Sequence, residues 1–136
     1  MTNRSDLTAR MPSTSDDTRS ISVGNAASTS EGHAGWFIGP FLSKEAGVRR
    51  TDAVEVKWGR HMAGDVRADV NCQAGMHSLA ILINGSFVIE FPTLGEEVVL
   101  ARTGDYVLYG PDVAHSWRAV EASTVVTVRW SASEVP

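Results

Sequence analysis

From Trp36 to Trp130 the chain breaks into short apolar runs, with a turn residue every eight to twelve positions. The runs WFIGPFL, AVEVKWG, DVRADVN, SLAILI, SFVIEF, EVVLA, DYVLYG, HSWRAV and TVVTVRW are rich in β-branched and aromatic residues. Such residues pack well on a pleated, half-buried surface. Breaks fall at Gly59, Ala63-Gly64, Asn84-Gly85, Thr93-Leu94-Gly95, Thr103-Gly104 and Gly110-Pro111-Asp112. Asn84-Gly85 predicts a tight hairpin, because this pair supplies the positive φ angles of a type I′ turn. Only Leu42 to Val48 has even a brief helical pattern. About nine strands at this spacing predict an all-β sandwich, jelly roll or closed barrel.

Upstream of Gly35 the composition changes. Residues 1–35 hold 12 Ser/Thr, four Asp/Glu, three Lys/Arg and no aromatic residue. A segment like this buries too little apolar surface to offset the entropy of ordering it. The expected organisation is a flexible, disordered tail over 1–35 and a single β domain over 36–136. The tail could also serve as a regulatory or partner-binding arm, and Met11 is a second candidate start.

The charge balance excludes some partners. The formal net charge is −4, and Lys and Arg do not cluster beyond Arg49-Arg50. Nucleic acids and anionic membranes both select a basic face. Cys72 is the lone cysteine, which rules out an intrachain disulfide or a paired-cysteine zinc site and suits a reducing compartment. No secretory pattern opens the sequence and no apolar run reaches membrane-spanning length. A cytoplasmic protein is therefore expected.

Strand alternation assigns faces. In DVRADVNCQ, Arg67, Asp69, Asn71 and Gln73 share one face, while Val66, Ala68, Val70 and Cys72 share the other. In HSWRAV, His115 and Trp117 lie opposite Ser116 and Arg118. By alternation alone, the polar face of either strand suits solvent or the lining of a pocket.

The run GDYVLYGPDVAHSW resembles the second motif of the cupins, small double-stranded β-helix barrels. That motif usually reads Gly, five residues, Pro-x-Gly, two residues, His, three residues, Asn. Here Gly104 opens it, Gly110 and Asp112 stand at the Pro and Gly positions, His115 is the histidine, and Ala119 replaces Asn. The first cupin motif usually runs from a Gly through His-x-His and Glu to a second Gly. Gly64 and Gly85 are similar to its ends, but Asn71 and Gln73 fall at the two histidines and Ser78 at the glutamate. The resemblance spans residues 36 to 130 and implies a cupin jelly-roll barrel. It further implies that Arg67, Asp69, Asn71 and Gln73 line the interior.

Cupins usually hold a first-row divalent metal with three imidazoles and a carboxylate. This chain keeps only His115 of the four, and amide oxygens are poor substitutes for imidazole. No metal or other cofactor is expected. A rearranged site drawing on Asp69, His77, His61 or Cys72 stays open, as does an oxygenase-like activity built on it. Otherwise His77 is a strand-end residue outside the barrel, and Cys72 a small buried hydrophobe.

Without metal, the expected pocket suits a polar organic small molecule. Arg67 would bind its carboxylate or carbonyl, Asn71, Gln73 and Ser78 would hydrogen-bond it, and Trp117 would form a wall. His115 would act as general acid or base, with Asp69 orienting it. Proton transfer of this kind serves an isomerase, dehydratase or cyclase. A non-catalytic binding or accessory module is the alternative. The resemblance also implies a homodimer, with AVEVKWG or TVVTVRW offering an edge. There is neither a Gly-rich phosphate loop nor a GxSxG elbow.

Overall fold

Asn84-Gly85 turns the chain, but not into a hairpin. In the computed structural model, which describes residues 20–72 and 74–132, the strands on either side of this turn belong to different sheets. The nine strands are β1 (Trp36–Ile38), β2 (Glu55–His61), β3 (Asn71–Cys72), β4 (Met76–Asn84), β5 (Phe87–Phe91), β6 (Glu96–Leu100), β7 (Tyr106–Tyr109), β8 (Ala114–Ala119) and β9 (Ser123–Ser131). One sheet has the order β1-β2-β9-β4-β7 and the other β3-β8-β5-β6. From β4 onward the chain shuttles between the two, as a jelly roll does.

Two contacts explain the crossing at Gly85. Its φ is 101°, and a Cβ there would lie 2.3 Å from the Ala122 carbonyl oxygen and 2.4 Å from Ser123 Oγ. Ser86 N–H donates to Ser123 Oγ at 3.0 Å, and Val120 N–H donates to the Ser86 carbonyl at 2.9 Å. The turn is thus anchored to the β8–β9 connection instead of closing on its own flanks. The true tight hairpin is β5–β6, closed by Leu94 N–H donating to the Phe91 carbonyl and by Gly95 at φ 66°.

Alternation sorts the inner face. Ala80 and Leu82 of β4, Phe87, Ile89 and Phe91 of β5, Leu100, Ala119 and Val125 form one buried cluster. Leu82 is wholly buried. This plug fills one end of the barrel, so the polar inward positions gather at the other.

The expected strand DVRADVN is largely missing. Val66 makes an isolated bridge to Arg118, and regular pairing resumes only at β3, where Asn71 is opposite His115. Among the described residues nothing covers the Val66 and Val70 side, and these residues are 62% and 55% exposed. Cys72 is likewise exposed and not a buried hydrophobe. The helical pattern near Leu42 becomes a 3₁₀ turn over Lys44–Arg49, broken by Gly47 at φ 64°.

Residues 1–19 of the expected tail lie outside the described residues. From residue 20 the chain is traced, and α1 (Ala26–Thr29) is capped by Asn25 Oδ1, which accepts from Ser28 N–H at 3.2 Å. The turn after α1 is tied to β2 by Trp58 N–H donating to the Gly35 carbonyl at 2.8 Å. Folded structure therefore begins before Trp36. Composition rich in Ser, Asn and Gly suits a capped turn as well as a tail. Among the described residues no helix is long and apolar enough to cross a membrane.

The dimer edges expected from sequence are not available as read. β9 is paired on both sides, by β2 and β4, and β2 lies between β1 and β9. The sheet edges are instead β1, β7, β3 and β6.

Candidate functional site: a cationic cavity in the barrel

The polar end of the barrel holds a cavity of about 80 Å³. Register explains its lining. In the β2–β9 pair, Lys57 is opposite Thr127, Gly59 opposite Val125 and Glu55 opposite Arg129, all on the inward face. Ser78 and Ala80 of β4 continue the row, and Tyr109 pairs with Ser78 from β7. From the facing sheet come Phe87, Ile89, His115 and Trp117, with Asn71 on β3.

Of the residues singled out from sequence, Arg67, Asn71, Ser78, His115 and Trp117 line this cavity. Arg67 is exposed and stands at the rim, held there because residues 64–67 run along β8. Arg67 N–H donates to the Trp117 carbonyl at 2.9 Å, and Gly64 N–H to the Ala119 carbonyl at 2.9 Å. Asp69 does not line the cavity. It is exposed, and its contact with Arg67 runs from the guanidinium Nε to the Asp69 backbone carbonyl at 3.1 Å. The expected coupling of Asp69 to His115 has no geometric basis here, because the bend after Arg67 interrupts the alternation that would have aligned them. Gln73 lies outside the described residues.

His115 enters β8 from the turn at Asp112, which takes φ 66°, a conformation that Gly would supply more easily. The ring Nδ1 lies 3.0 Å from the Val113 carbonyl. A carbonyl only accepts, so Nδ1 carries the proton and Nε2 keeps its lone pair. Burial lowers the pKa of His115, and the nearby Arg67 and Arg129 charges push the same way, against the Val113 hydrogen bond. His115 is a neutral imidazole at pH 7. Tyr109 packs against it at 4.8 Å between ring centroids. Burial raises the Tyr109 pKa, so its hydroxyl stays protonated.

Three further contributors were not singled out from sequence, Lys57, Arg129 and Trp36, and a fourth, His61, was considered only as a metal ligand. Lys57, Gly59 and His61 alternate along EVKWGRH, and Val125, Thr127 and Arg129 along TVVTVRW. That period marked both faces but not which one was inside. His61 ends β2 and packs in a three-ring cluster with Trp117 and Phe87, at 4.3 and 5.1 Å between centroids. Burial lowers its pKa, Lys57 lowers it further, and Asp65 opposes both. Trp36 lies beneath two cations, with Arg129 Cζ 4.0 Å and Lys57 Nζ 5.6 Å from its ring. Burial lowers the Lys57 pKa, and repulsion from Arg67 and Arg129 adds to it.

Among the described residues the lining thus includes three cations, Lys57, Arg67 and Arg129, and no carboxylate. Glu55, just behind Arg129, accepts from Arg129 Nε at 2.9 Å. These donors do not suit a first-row divalent ion. Among the described residues no group of three or more His, Cys, Asp or Glu side chains gathers. The rearranged ligand set is not assembled either: Asp69 and Cys72 are exposed, and His77 faces outward beside Trp130, 5.6 Å between rings. Only His61 joins His115 in the cavity, among fixed positive charges that repel a cation.

No protein-family model matches the chain, and no curated protein sequence matches it significantly. Solved structures do match. A cupin protein from Bacteroides fragilis superposes with a TM-score of 0.55 at 18% identity, covering 63% of this chain and 72% of that one. KdgF from a Halomonas species gives 0.53 at 20% identity, covering 60% and 72%. A cupin superfamily protein from Desulfitobacterium hafniense gives 0.53 at 15% identity, covering 60% and 70%. With the two-sheet jelly roll and the GDYVLYGPDVAHSW turn delivering His115 into its interior, the chain has the fold of a small cupin.

Proposed function

We propose that the barrel binds a small organic anion and that His115 exchanges a proton with it. One observation carries the reading: Lys57, Arg67 and Arg129 converge on one cavity with no carboxylate among its described lining residues. Like charges held together in a half-buried site cost energy, and an anionic guest relieves that cost. A carboxylate or enolate matches the guanidinium geometry of the two arginines. Asn71, Ser78 and Thr127 supply neutral hydrogen bonds, and Phe87, Ile89 and Trp117 pack the carbon frame.

With Nδ1 committed to Val113, Nε2 of His115 is the nitrogen able to accept a proton from the ligand. The cationic surround stabilises the anionic enolate that such a transfer creates. The reaction classes that follow are isomerisation, dehydration and cyclisation of a small carboxylic acid. Binding is the direct test. Lys57→Met is expected to weaken pyruvate or malonate binding at least about tenfold by calorimetry. Equal binding by both proteins would remove the reading. Turnover of a bound acid by wild type but not by His115→Gln would separate catalysis from binding alone.

We also propose a homodimer, formed through the outer face of the five-stranded sheet. There Val56, Val126, Val128, Leu79, Ile81 and Leu108 present a nearly uncharged surface, with Tyr106 and Leu108 at its edge 65% and 53% exposed. The outer face of the other sheet is charged instead, with Arg118 paired to Glu90 and Glu97.

A further inference from the structure

Lys57 differs from the other two cations of the cavity in one chemical respect. A guanidinium keeps its charge at any ordinary pH, whereas an ammonium can release a proton and become a nucleophilic amine. Crowding like charges favours that release, and of the three groups the lysine is the one able to make it. Lys57 is half-buried, and among the described residues no carboxylate forms an ion pair with it. Burial first, then the charges of Arg67 and Arg129, lower its pKa.

The fold also fixes where the amine sits. Lys57 is opposite Thr127 in the β2–β9 pair, so Arg129, two residues on, is its diagonal neighbour on the inner face. Both cations lie by the same Trp36 ring, at 5.6 Å for Lys57 Nζ and 4.0 Å for Arg129 Cζ. The lysine stem is packed against the turn after α1. A Cβ at Gly35 would lie 3.1 Å from Lys57 Cγ and 3.3 Å from its Cε, so a larger residue there would displace the stem. From the facing sheet, His115 presents Nε2 to the same cavity.

We infer that Lys57 is a catalytic nucleophile, forming an imine with the keto carbon of a small 2-oxo acid whose carboxylate is held by Arg67 and Arg129. This rests on the anion-binding reading above and names the substrate class for that same site. The neutral amine adds to the carbonyl carbon and makes the C–N bond. The former carbonyl oxygen then leaves as water, and a protonated imine remains. The step needs no oxidant or reductant, and the positive charge stays on the lysine nitrogen. That charge draws electrons from the adjoining carbon, whose proton His115 Nε2 then takes to leave an enamine. A cavity of about 80 Å³ suits a short-chain acid.

The chain holds one other lysine, Lys44, exposed on the 3₁₀ turn, which serves as an internal control. Wild type is incubated with pyruvate and sodium cyanoborohydride near pH 7, and the adduct is mapped by peptide mass spectrometry. Lys57 is expected to acquire the reduced pyruvate adduct at least about tenfold faster than Lys44. Excess malonate, which has no keto group, is expected to suppress the labelling of Lys57. Calorimetry with pyruvate and malonate on the same preparation separates the two readings. Binding of both acids without an adduct at Lys57 would overturn the inference and leave the anion site standing. Equal labelling of the two lysines would overturn it too, as would labelling that malonate does not suppress. Binding of neither acid would remove the anion site and the nucleophile together.

Discussion

Arg129 donates both Nε and Nη2 to a single carboxylate oxygen of Glu55, at 2.9 and 2.5 Å, directly across the β2–β9 pair. Each side chain is less than one-fifth exposed. Glu55 thereby fixes one of the three cations at the mouth of the cavity. Glu55→Gln is expected to lower stability by about 2–4 kcal/mol, since it removes the charged partner of a largely buried guanidinium. The same change is expected to tighten anion binding, because it removes a negative charge from behind the cavity. Urea unfolding and calorimetry on one preparation measure both effects; a loss of affinity would contradict the arrangement.

Two imidazoles with lowered pKa values give opposite pH trends for stability and binding. His61 and His115 titrate below the ordinary value of about 6.5 in the folded chain and near it when unfolded. Between the folded and unfolded values the unfolded chain holds more protons, so stability rises with pH through this window. It is fully present above about pH 6.5 and is lost as pH falls through the folded values. Anion affinity is expected to move the other way, since protonation adds positive charge to the cavity. Thermal unfolding from pH 5 to 7.5 checks the first trend, and His61→Gln with His115→Gln should flatten it.

Gly85→Ala is expected to destabilise the chain by at least about 2 kcal/mol. The φ of 101° alone costs an L-residue roughly 1–2 kcal/mol, and the new methyl would meet backbone at 2.3 Å. By contrast a Cβ at Gly64 meets nothing within 4 Å, so Gly64→Ala should cost only the conformational part. Denaturant midpoints of the two variants give the comparison directly.

If the outer face of the five-stranded sheet joins two copies, Leu108→Glu should shift the sedimentation mass toward a single 14.6 kDa chain. Anion binding should survive, because Leu108 lies on the opposite side of β7 from Tyr109 and the cavity. An unchanged mass distribution would exclude this face as the contact.

Much of the barrel was legible because local chemistry and burial agree in it. Period-two alternation, glycine at turns and the run from Gly104 to Trp117 each constrain the chain within a few residues. The strands appear where those signals lie, and His115 enters the interior from the turn that the motif marks. The DVRADVN run misled because alternation reports two faces without saying whether either is packed. Asp69 was grouped with Asn71 by that period, and a bend after Arg67 undoes the grouping.

What the sequence by itself determined was the class of fold, the turn positions and the single histidine of the second motif. The tertiary structure decided which sheet each strand joins, and so which inward residues meet. Lys57 and Arg129 are 72 residues apart, and neither spacing nor motif links them. They meet because β2 and β9 are neighbours in a sheet whose register puts both on the inner face. Long-range pairing is set by the summed burial of the whole core and not by any local pattern. The charge of the cavity is a property of that pairing.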